Sequence, residues 1–431
     1  MKVIEKFINL LYKNSFILLI IITILTISTQ TLFIRGYYDV EIRIVILSLY
    51  SLIIFARLYL FKFSFTFSEI LWSAFTVLAV IGALLNSKSL SLDIIQPIAW
   101  WFVVIGIVSL IRIARPDDEY LKKWLVAIVF IELILALISL VDFFGIYKLS
   151  HLVSNNVQSK GPLNNLNYFG CFIGSYTFGQ EMLLGLLATI SIFGLQILYQ
   201  RKHGFKEYVV YFLSFIVFLP LIIYSNDRDS ILAFCLSAFI LFALLYKNKY
   251  ITIKLHYIII FVLINVFIFW IFYFIGLLQP LINKVLKSGT SHRIDIWLDV
   301  IKTQKDHILS SSFFFGDGFR HASSKYIIMK KFDLDNFHSI IFDIWARYGF
   351  LNLILVLGYL LTGIKKALNN KSKLRYLTIT VLMGLIVFEI TSGELVTATF
   401  RMVPFFIVFF LALVLDMNNN DVIKNTFHLD E

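Results

Sequence analysis

The sequence has few of the residues that disulfide-linked or metal-binding proteins use. Only two of its 431 residues are cysteines, Cys171 and Cys235. Both fall inside apolar segments, which excludes a disulfide framework and a CxxC metal site. The Walker A, GxGxxG and HExxH patterns are also absent, so no pattern supports nucleotide chemistry or a zinc site. We therefore expect neither a cofactor nor a metal.

Charged residues are scarce as well. They make up 15% of the chain, whereas 59% is hydrophobic and the mean hydropathy is +0.84; soluble domains are about 45–50% apolar. Hydrophobic runs of about 18 residues or more recur from end to end, and in lipid such runs form helices because each backbone polar group must bond within its own segment. The composition predicts an all-α protein, a polytopic bundle of transmembrane helices.

We expect about twelve spans from the length of these runs. The candidate spans lie at about 16–34, 42–61, 64–85, 94–111, 124–145, 176–199, 208–224, 231–246, 257–278, 338–362, 376–392 and 402–416. The first has a basic start but no cleavage site of small residues, which indicates a retained span. The predicted organisation is a membrane section over 1–278, a large hydrophilic loop over 279–337, a second membrane section over 338–416 and a tail over 417–431.

The net charge of +11 lies in the connectors, and every second connector is rich in Lys and Arg, as at 112–123, 201–206 and 365–375. The positive-inside rule places these connectors and both termini in the cytoplasm and the 279–337 loop outside a plasma (inner) membrane. Basic connectors also suit anionic headgroups, so we expect membrane lipid rather than nucleic acid as a partner. The outer loop is basic too, which this rule does not explain.

Within the large loop, Thr290 or Ser291 can cap a helix that runs to about Ile308. Its apolar positions recur at helical spacing and predict one apolar face, made of Ile294, Trp297, Leu298 and Ile301. Such an interfacial helix would lie on the membrane surface, with Arg293 at the edge of the apolar face and within reach of a phosphate. The alternative is a basic helix that only anchors the loop.

Arg228 lies in a short polar turn, YSNDRDS, between two apolar segments. Its charge is therefore expected at the outer membrane boundary. Either it serves a binding site there, or it is a snorkelling arginine paired with Asp227 or Asp229.

A second polar stretch, 151–170, is rich in Asn, Ser and Gly. It leads into an apolar run that contains Gly174, Gly179, Gln180 and Glu181. Because irregular backbone survives at membrane depth where protein or a wet cavity surrounds it, we expect a broken or re-entrant segment there.

His338 stands where the large loop returns to the membrane. Its unperturbed pKa near 6.5 suits it to accept a proton from a sugar hydroxyl, and the alternative is a polar helix cap. Asp343 and Arg347 follow at the i, i+4 spacing of a helical ion pair. Charges at that depth are costly, which favours a functional role, with a structural ion pair as the competing interpretation.

Acidic residues predicted to lie within spans are Glu69, Glu132, Glu181 and Glu389. A transporter would use such acids as ion or proton sites. These acids therefore favour a solute transporter or a flippase for lipid-linked sugars as one candidate function.

Several features occur together between about 164 and 361: a single large outer loop, the SNDRDSIL turn with its arginine, an R-x-x-x-W helix, a G-x-G turn at 316–318, an Asn-rich entry GPLNNLNYFG, and a histidine followed by a glycine-containing helix, FHSIIFDIWARYGFLNLILVL. In this combination the sequence resembles the superfamily of O-antigen ligases and Wzy-type O-antigen polymerases. That family usually has His-Asn at the return to the membrane, whereas here Ser339 follows His338 and Asn336 precedes it.

The resemblance implies a metal-independent glycosyltransferase that works on the outer face of the membrane. The donor would be a glycan on undecaprenyl pyrophosphate and the acceptor a glycan hydroxyl, with a chain-length regulator as a candidate partner. Arg228 and Arg293 would bind the pyrophosphate, and His338 would orient or deprotonate the hydroxyl. The predicted substrate-binding residues are Asn164, Asn167, Arg320, Asn336 and Arg347.

Polymerase and ligase share this pattern and differ in the acceptor, which is another lipid-linked repeat for a polymerase and a finished anchor for a ligase. We favour a polymerase of surface polysaccharide, because the lipid A core acceptor exists only in some envelopes.

Overall fold

The computed structural model describes residues 6, 10–11, 13–31, 39–60, 64–87, 90–143, 146, 168–169, 172–199, 205–225, 227–250, 270, 293–319, 322, 325–332, 337–369, 374–393, 395 and 401–416. Its helices are α1 (Ser15–Ser28), α2 (Asp39–Leu60), α3 (Phe67–Asn86), α4 (Leu90–Ala114), α5 (Asp118–Phe143), α6 (Gly174–Leu198), α7 (Phe205–Ser225), α8 (Arg228–Lys247), α9 (Arg293–Asp306), α10 (Ser311–Phe315), α11 (Ile327–Phe332), α12 (Ile340–Asn369), α13 (Leu374–Ser392) and α14 (Met402–Asp416). A short antiparallel hairpin of β1 (Tyr168–Phe169) and β2 (Phe172–Ile173) precedes α6.

Seven of the described helices are long and apolar enough to cross a membrane, namely α2 to α6, α8 and α12. Shorter apolar helices are α1, α7, α13 and α14. Large apolar side chains such as Phe130, Phe239 and Leu361 stand exposed on the outer faces of these helices, where lipid rather than water is their natural surrounding. The chain is therefore an all-α polytopic membrane protein, as predicted.

Each predicted span overlaps one of these helices except the span at about 257–278, of which only residue 270 is described. The count of twelve spans therefore stays a prediction.

Two helices lie at the centre of the bundle. α6 is buried along almost its whole length, and every residue of α14 is buried. A helix that is apolar on all sides has no face to offer to water, so it packs inside. Trp124 of α5 lies against α14, with its ring centroid 4.3 Å from that of Phe409 and 5.2 Å from that of Phe406. α6 and α14 therefore belong to one continuous apolar core.

The expected break in the segment after Gly174 is wrong, because α6 runs without interruption to Leu198. Gly179 serves close packing instead: a Cβ there would stand 2.6 Å from Cβ of Asp227, in the turn before α8. The polar residues find partners inside the bundle, since the side chain of Gln30 donates a hydrogen bond to Glu181. Glu181 therefore links α6 to the chain after α1 and does not interrupt α6.

Candidate active site

Several connectors meet at one end of the bundle, which we call the site end. The side chain of Asn86, at the end of α3, donates to the backbone oxygen of Gly316 at 2.8 Å. The hydroxyl of Ser311 donates to Asn86 Oδ1 at 2.6 Å. After α13, a Cβ on Gly393 would stand 2.6 Å from the backbone nitrogen of Ser339. The loop segment 311–319 and the start of α12 therefore lie against the ends of α3 and α13.

The polar turn between α7 and α8 is held by Asp227. Its Oδ1 accepts from the backbone N–H of Asp229 at 3.2 Å, which caps α8, and its Oδ2 accepts from the hydroxyl of Ser230 at 2.5 Å. Burial raises the pKa of Asp227 to about 7. The packing of Gly179 against the same carboxylate closes the turn from behind. The first residues of α8, Arg228 and Asp229, are thus placed by a fixed cap.

Arg293, the first residue of α9, forms a bidentate ion pair with Asp229. Nη1 donates to Oδ1 at 2.9 Å and Nη2 donates to Oδ2 at 2.7 Å, across 64 residues of chain. The side chain of Arg293 is 21% exposed and that of Asp229 is 8% exposed. The planar guanidinium matches the two carboxylate oxygens, so the pair fixes orientation as well as distance. Of the two carboxylates predicted to pair with Arg228, Asp227 caps α8 and Asp229 binds Arg293.

The face that α9 buries differs in part from the predicted apolar face. The buried residues are Ile296, Val300 and Gln304. They belong with Tyr326, Met329, Phe337 and Ala346 to a small second core beneath the loop. Ile294, Leu298 and Ile301 are exposed together, as an interfacial helix requires. Trp297 leaves that stripe and turns inward, since the bulky ring fits against the start of α12.

Trp297 fixes the chain next to His338. Its Nε1 donates to the backbone oxygen of Phe337 at 3.0 Å, and its ring stacks on Phe342 with centroids 5.4 Å apart and planes 18° from parallel. His338 itself has φ of 52°, a left-handed conformation that residues other than glycine rarely adopt. Such conformations persist where the surroundings impose them and are frequent at functional sites. The contact with Trp297 therefore ties a strained histidine to the helix that begins with Arg293.

His338 is close enough to Arg293 and Asp229 for both charges to act on it. Burial lowers the pKa of His338 to about 4, the positive charge of Arg293 also lowers it, and the negative charge of Asp229 raises it. The imidazole is therefore neutral at pH 7 and can accept a proton, although it is a weak base. The three residues come from the loop, from the α7–α8 turn and from the start of α12.

The G-x-G turn docks the loop onto a break in α12. Gly349 has φ of 85° and ψ of 170°, which interrupts the helix. The backbone oxygens of Ala346 and Arg347, which an unbroken helix would bond four residues ahead, accept from the N–H groups of Asp317 at 3.1 Å and Gly318 at 3.0 Å. A Cβ on Gly349 would stand 2.3 Å from the oxygen of Phe314, so only glycine permits this approach.

Arg347 pairs with Asp343, as its spacing predicted, with Nε donating to Oδ1 at 2.8 Å. Its Nη1 also donates to the backbone oxygen of Phe319, and its guanidinium lies 4.7 Å from the ring centroid of Phe319. The side chain is 4% exposed. These contacts connect α12 to the loop, and the predicted role of Arg347 in substrate binding stays a prediction.

The opposite end of the bundle holds a second charged cluster. Glu69 caps α3 in a capping box with Thr66 and forms ion pairs with Arg57 and, at 3.5 Å, with Arg112. Both arginines donate to the backbone oxygen of Ser64. We call these residues the Glu69 cluster. It joins α2, α3 and α4 at the end away from the loop.

The other predicted membrane acids have different surroundings. Glu389 accepts from the backbone N–H of Leu395 at 2.8 Å, which shapes the turn after α13. Glu132 and Glu181 are fully buried in α5 and α6, which pack side by side.

The described residues thus bring together Arg293 and His338, with Arg228 next to Asp229 in the capped turn. The predicted substrate-binding residues Asn164, Asn167, Arg320 and Asn336 lie outside the described residues. Reasoning from sequence missed Asp229 as the partner of Arg293; the one available signal was an acid beside an arginine in a very short turn.

Metal ligands do not cluster in the described ranges, where no group of three or more His, Cys, Asp or Glu side chains could hold an ion. No protein-family model matches the chain, and no curated protein matches it.

Proposed function

We propose that this protein is a membrane glycosyltransferase that polymerises lipid-linked oligosaccharide repeats of a surface polysaccharide. The supporting observation is the convergence of Arg293, His338 and the Arg228-containing turn at one end of an apolar helix bundle. Fixed cations can offset the charge of a leaving pyrophosphate and a neutral imidazole can accept the proton of a hydroxyl, so these groups suit transfer of a sugar from a pyrophosphate. The fold alone does not distinguish this reaction from others, so the proposal rests on the site.

In the proposed reaction the oxygen of an acceptor hydroxyl bonds to the anomeric carbon of the donor. The bond between that carbon and the pyrophosphate oxygen breaks, and the hydroxyl proton passes to His338. Negative charge grows on the leaving pyrophosphate, so the guanidinium groups of Arg228 and Arg293 stabilise the transition state more than the ground state. Paired donors on each arginine suit the phosphate oxygens.

The topology belongs to the same proposal. The site end faces the outside of the plasma (inner) membrane, both termini are cytoplasmic, and the chain crosses about twelve times. Undecaprenyl chains lie between spans, and the exposed stripe of Ile294, Leu298 and Ile301 sets α9 at headgroup depth, where a lipid-linked phosphate lies. A chain-length regulator is a candidate partner.

Single alanine substitutions of Arg228, Arg293 and His338 test the proposal. We expect each to lower polymer synthesis at least about 100-fold, because loss of a charge-stabilising donor or a general base has effects of this size. Matched controls are His307→Ala and Lys305→Ala, exposed residues of the same loop that should leave synthesis unchanged. The readout is the length distribution of surface glycan, together with protein level in the membrane. Unchanged long glycan in all three variants would exclude the proposal.

A ligase is the first alternative, and one reaction separates it from a polymerase. Purified protein is supplied with a single lipid-linked repeat unit as both donor and acceptor. A polymerase lengthens this substrate, whereas a ligase requires a different acceptor and leaves it unchanged.

A transporter or flippase is the second alternative, favoured by the two fully buried acids Glu132 and Glu181 on neighbouring helices. It predicts solute or lipid-linked sugar movement in proteoliposomes that stops when the proton or sodium gradient is removed. Two other acids weaken this alternative, because Glu69 pairs with arginines and Glu389 shapes a turn.

A further inference from the structure

The guanidinium of Arg293 is already occupied by an anion that belongs to the protein. Both Nη atoms donate to the carboxylate of Asp229, at 2.9 Å and 2.7 Å. A carboxylate and a phosphate use the same two-donor geometry on an arginine, so they compete for it. The proposed pyrophosphate therefore cannot use the same two-donor face of Arg293 while Asp229 holds it, and only the second N–H of each Nη and Nε–H face elsewhere.

We propose that Asp229 is a positioning residue that occupies Arg293 in the substrate-free enzyme and is displaced by a phosphate of the lipid-linked donor. This inference rests on the proposed function. In this role the Asp229 carboxylate competes with the donor phosphate for Arg293 and keeps the guanidinium oriented until the donor binds.

The construction of the turn allows this exchange. The N-terminus of α8 is capped by Asp227, which accepts from the backbone N–H of Asp229 and from the hydroxyl of Ser230. Release of the Asp229 carboxylate therefore leaves the cap intact. The pair is also partly exposed, unlike the Glu69 cluster, so a ligand can approach it.

Displacement also changes the surroundings of His338. The charged groups that act on this imidazole include Arg293, from α9, and Asp229, from α8. A bound diphosphate replaces the single negative charge of Asp229 beside Arg293 with a larger one, and the added negative charge favours the protonated form of the histidine. His338 therefore becomes a stronger base when the donor is present. The binding of the donor and the activation of the base are thereby coupled.

Asp229→Asn separates a competitor from a merely structural residue, because the two roles predict opposite signs. If Asp229 competes with phosphate, its neutralisation exposes Arg293 and tightens diphosphate binding. If Asp229 only holds the loop in place, the same substitution loosens Arg293 and weakens binding.

The experiment measures binding of radiolabelled farnesyl diphosphate to the full-length protein in lipid nanodiscs. We expect Asp229→Asn to bind about tenfold tighter than the wild type, which corresponds to about 1.4 kcal/mol. Asp229→Ser is a second neutral variant with the same expectation, in case the amide makes new hydrogen bonds. The matched control is Asp295→Asn, which removes an exposed negative charge two residues from Arg293 and should shift affinity less than about twofold.

Arg293→Ala distinguishes failure of the proposed function from failure of the competitor role of Asp229. If Arg293→Ala binds the diphosphate as well as the wild type, no phosphate site exists at Arg293 and the proposed function and this inference both fail. If Arg293→Ala loses binding while both Asp229 variants bind equally or more weakly than the wild type, only the competitor role is overturned. Tighter binding in the Asp229 variants, with loss in Arg293→Ala, supports it.

Discussion

The two ends of the bundle each carry arginines paired with a carboxylate, yet the two sites are built differently. In the Glu69 cluster, Arg57 and Glu69 are both 1% exposed, and the ion-pair partners come from the ends of adjacent helices. At the site end, Arg293 is 21% exposed, and it reaches Asp229 from a helix that belongs to the large loop. The first arrangement is centred on a buried ion pair and takes its ion-pair partners from the bundle itself. The second is partly exposed, as the proposed exchange of partners requires, so charge alone does not mark a functional site.

Neutralising the acid of the closed cluster should have the largest effect. In Glu69→Gln, Arg57 and Arg112 lose the buried negative charge between them, and breaking such a pair costs about 3–5 kcal/mol. We expect a large fall in thermal stability and in the yield of monodisperse protein in detergent. The control is Glu119→Gln, an exposed acid near the same end. An unchanged melting temperature in Glu69→Gln would show that the two ends do not differ in this way.

The same conservative substitution at both ends sharpens the contrast. Lysine keeps the charge of arginine but loses its paired donors. Arg57→Lys should lower the melting temperature, because the buried Arg57, whose Nη2 donates to Glu69 and to the backbone oxygen of Ser64, loses a hydrogen bond, at about 1–3 kcal/mol. Arg293→Lys should leave the melting temperature nearly unchanged, because partly exposed pairs contribute about 1 kcal/mol or less, and should instead slow polymer synthesis about tenfold or more. A stability loss in Arg293→Lys equal to that in Arg57→Lys would remove the distinction.

Two glycines of α12 test how the loop is held at the site end. Gly349→Ala places a side chain at a backbone conformation that is essentially confined to glycine and pushes a Cβ toward Phe314, at a cost of about 1–3 kcal/mol. Gly358→Ala meets no atom within 4 Å and should stabilise the helix by about 0.5–1 kcal/mol. Hydrogen exchange of 311–319 should rise in the first variant and stay unchanged in the second. Equal exchange in both would mean that the break does not hold the loop.

The pH dependence of stability should report on His338. Its pKa falls from 6.5 to about 4 on folding, so the unfolded chain binds the proton more readily between these values. The resulting contribution is complete above pH 6.5 and is lost as the pH falls toward 4. His338→Gln should therefore show a smaller drop in melting temperature from pH 6.5 to pH 4.5 than the wild type. Identical profiles would contradict the burial of this ring.

Much of the fold follows from the sequence because lipid imposes a simple rule. Long apolar runs must become helices, and α2 to α6, α8 and α12 did so. Local spacing also predicted the Asp343–Arg347 pair, since i, i+4 residues share a helix face. Hydrophobic periodicity marks which face is apolar but not what covers it. For this reason the periodicity predicts Trp297 on the exposed face of α9, whereas in the structure its ring packs on Phe342.

The partners at the site were harder to predict than its candidate residues. Arg293 and His338 lie close together, and the roles that the resemblance implies for them stay predictions. The pairing of Arg293 with Asp229 spans 64 residues, and nothing in the local sequence of either encodes that distance. The docking of the G-x-G turn at Gly349 is also a tertiary event, because it depends on carbonyl groups that a helix break makes available.

The break in α12 affects the order in which parts of the structure form during synthesis. The loop segment around Asp317 and Gly318 is synthesised before α12, yet its backbone bonds to oxygens of Ala346 and Arg347. A chain still emerging from the ribosome therefore has no partner for this segment until α12 has followed it. The loop can dock only late in synthesis, after α12, which carries Ala346 and Arg347, has entered the membrane. Incomplete chains thus present Arg293 without a neighbouring His338.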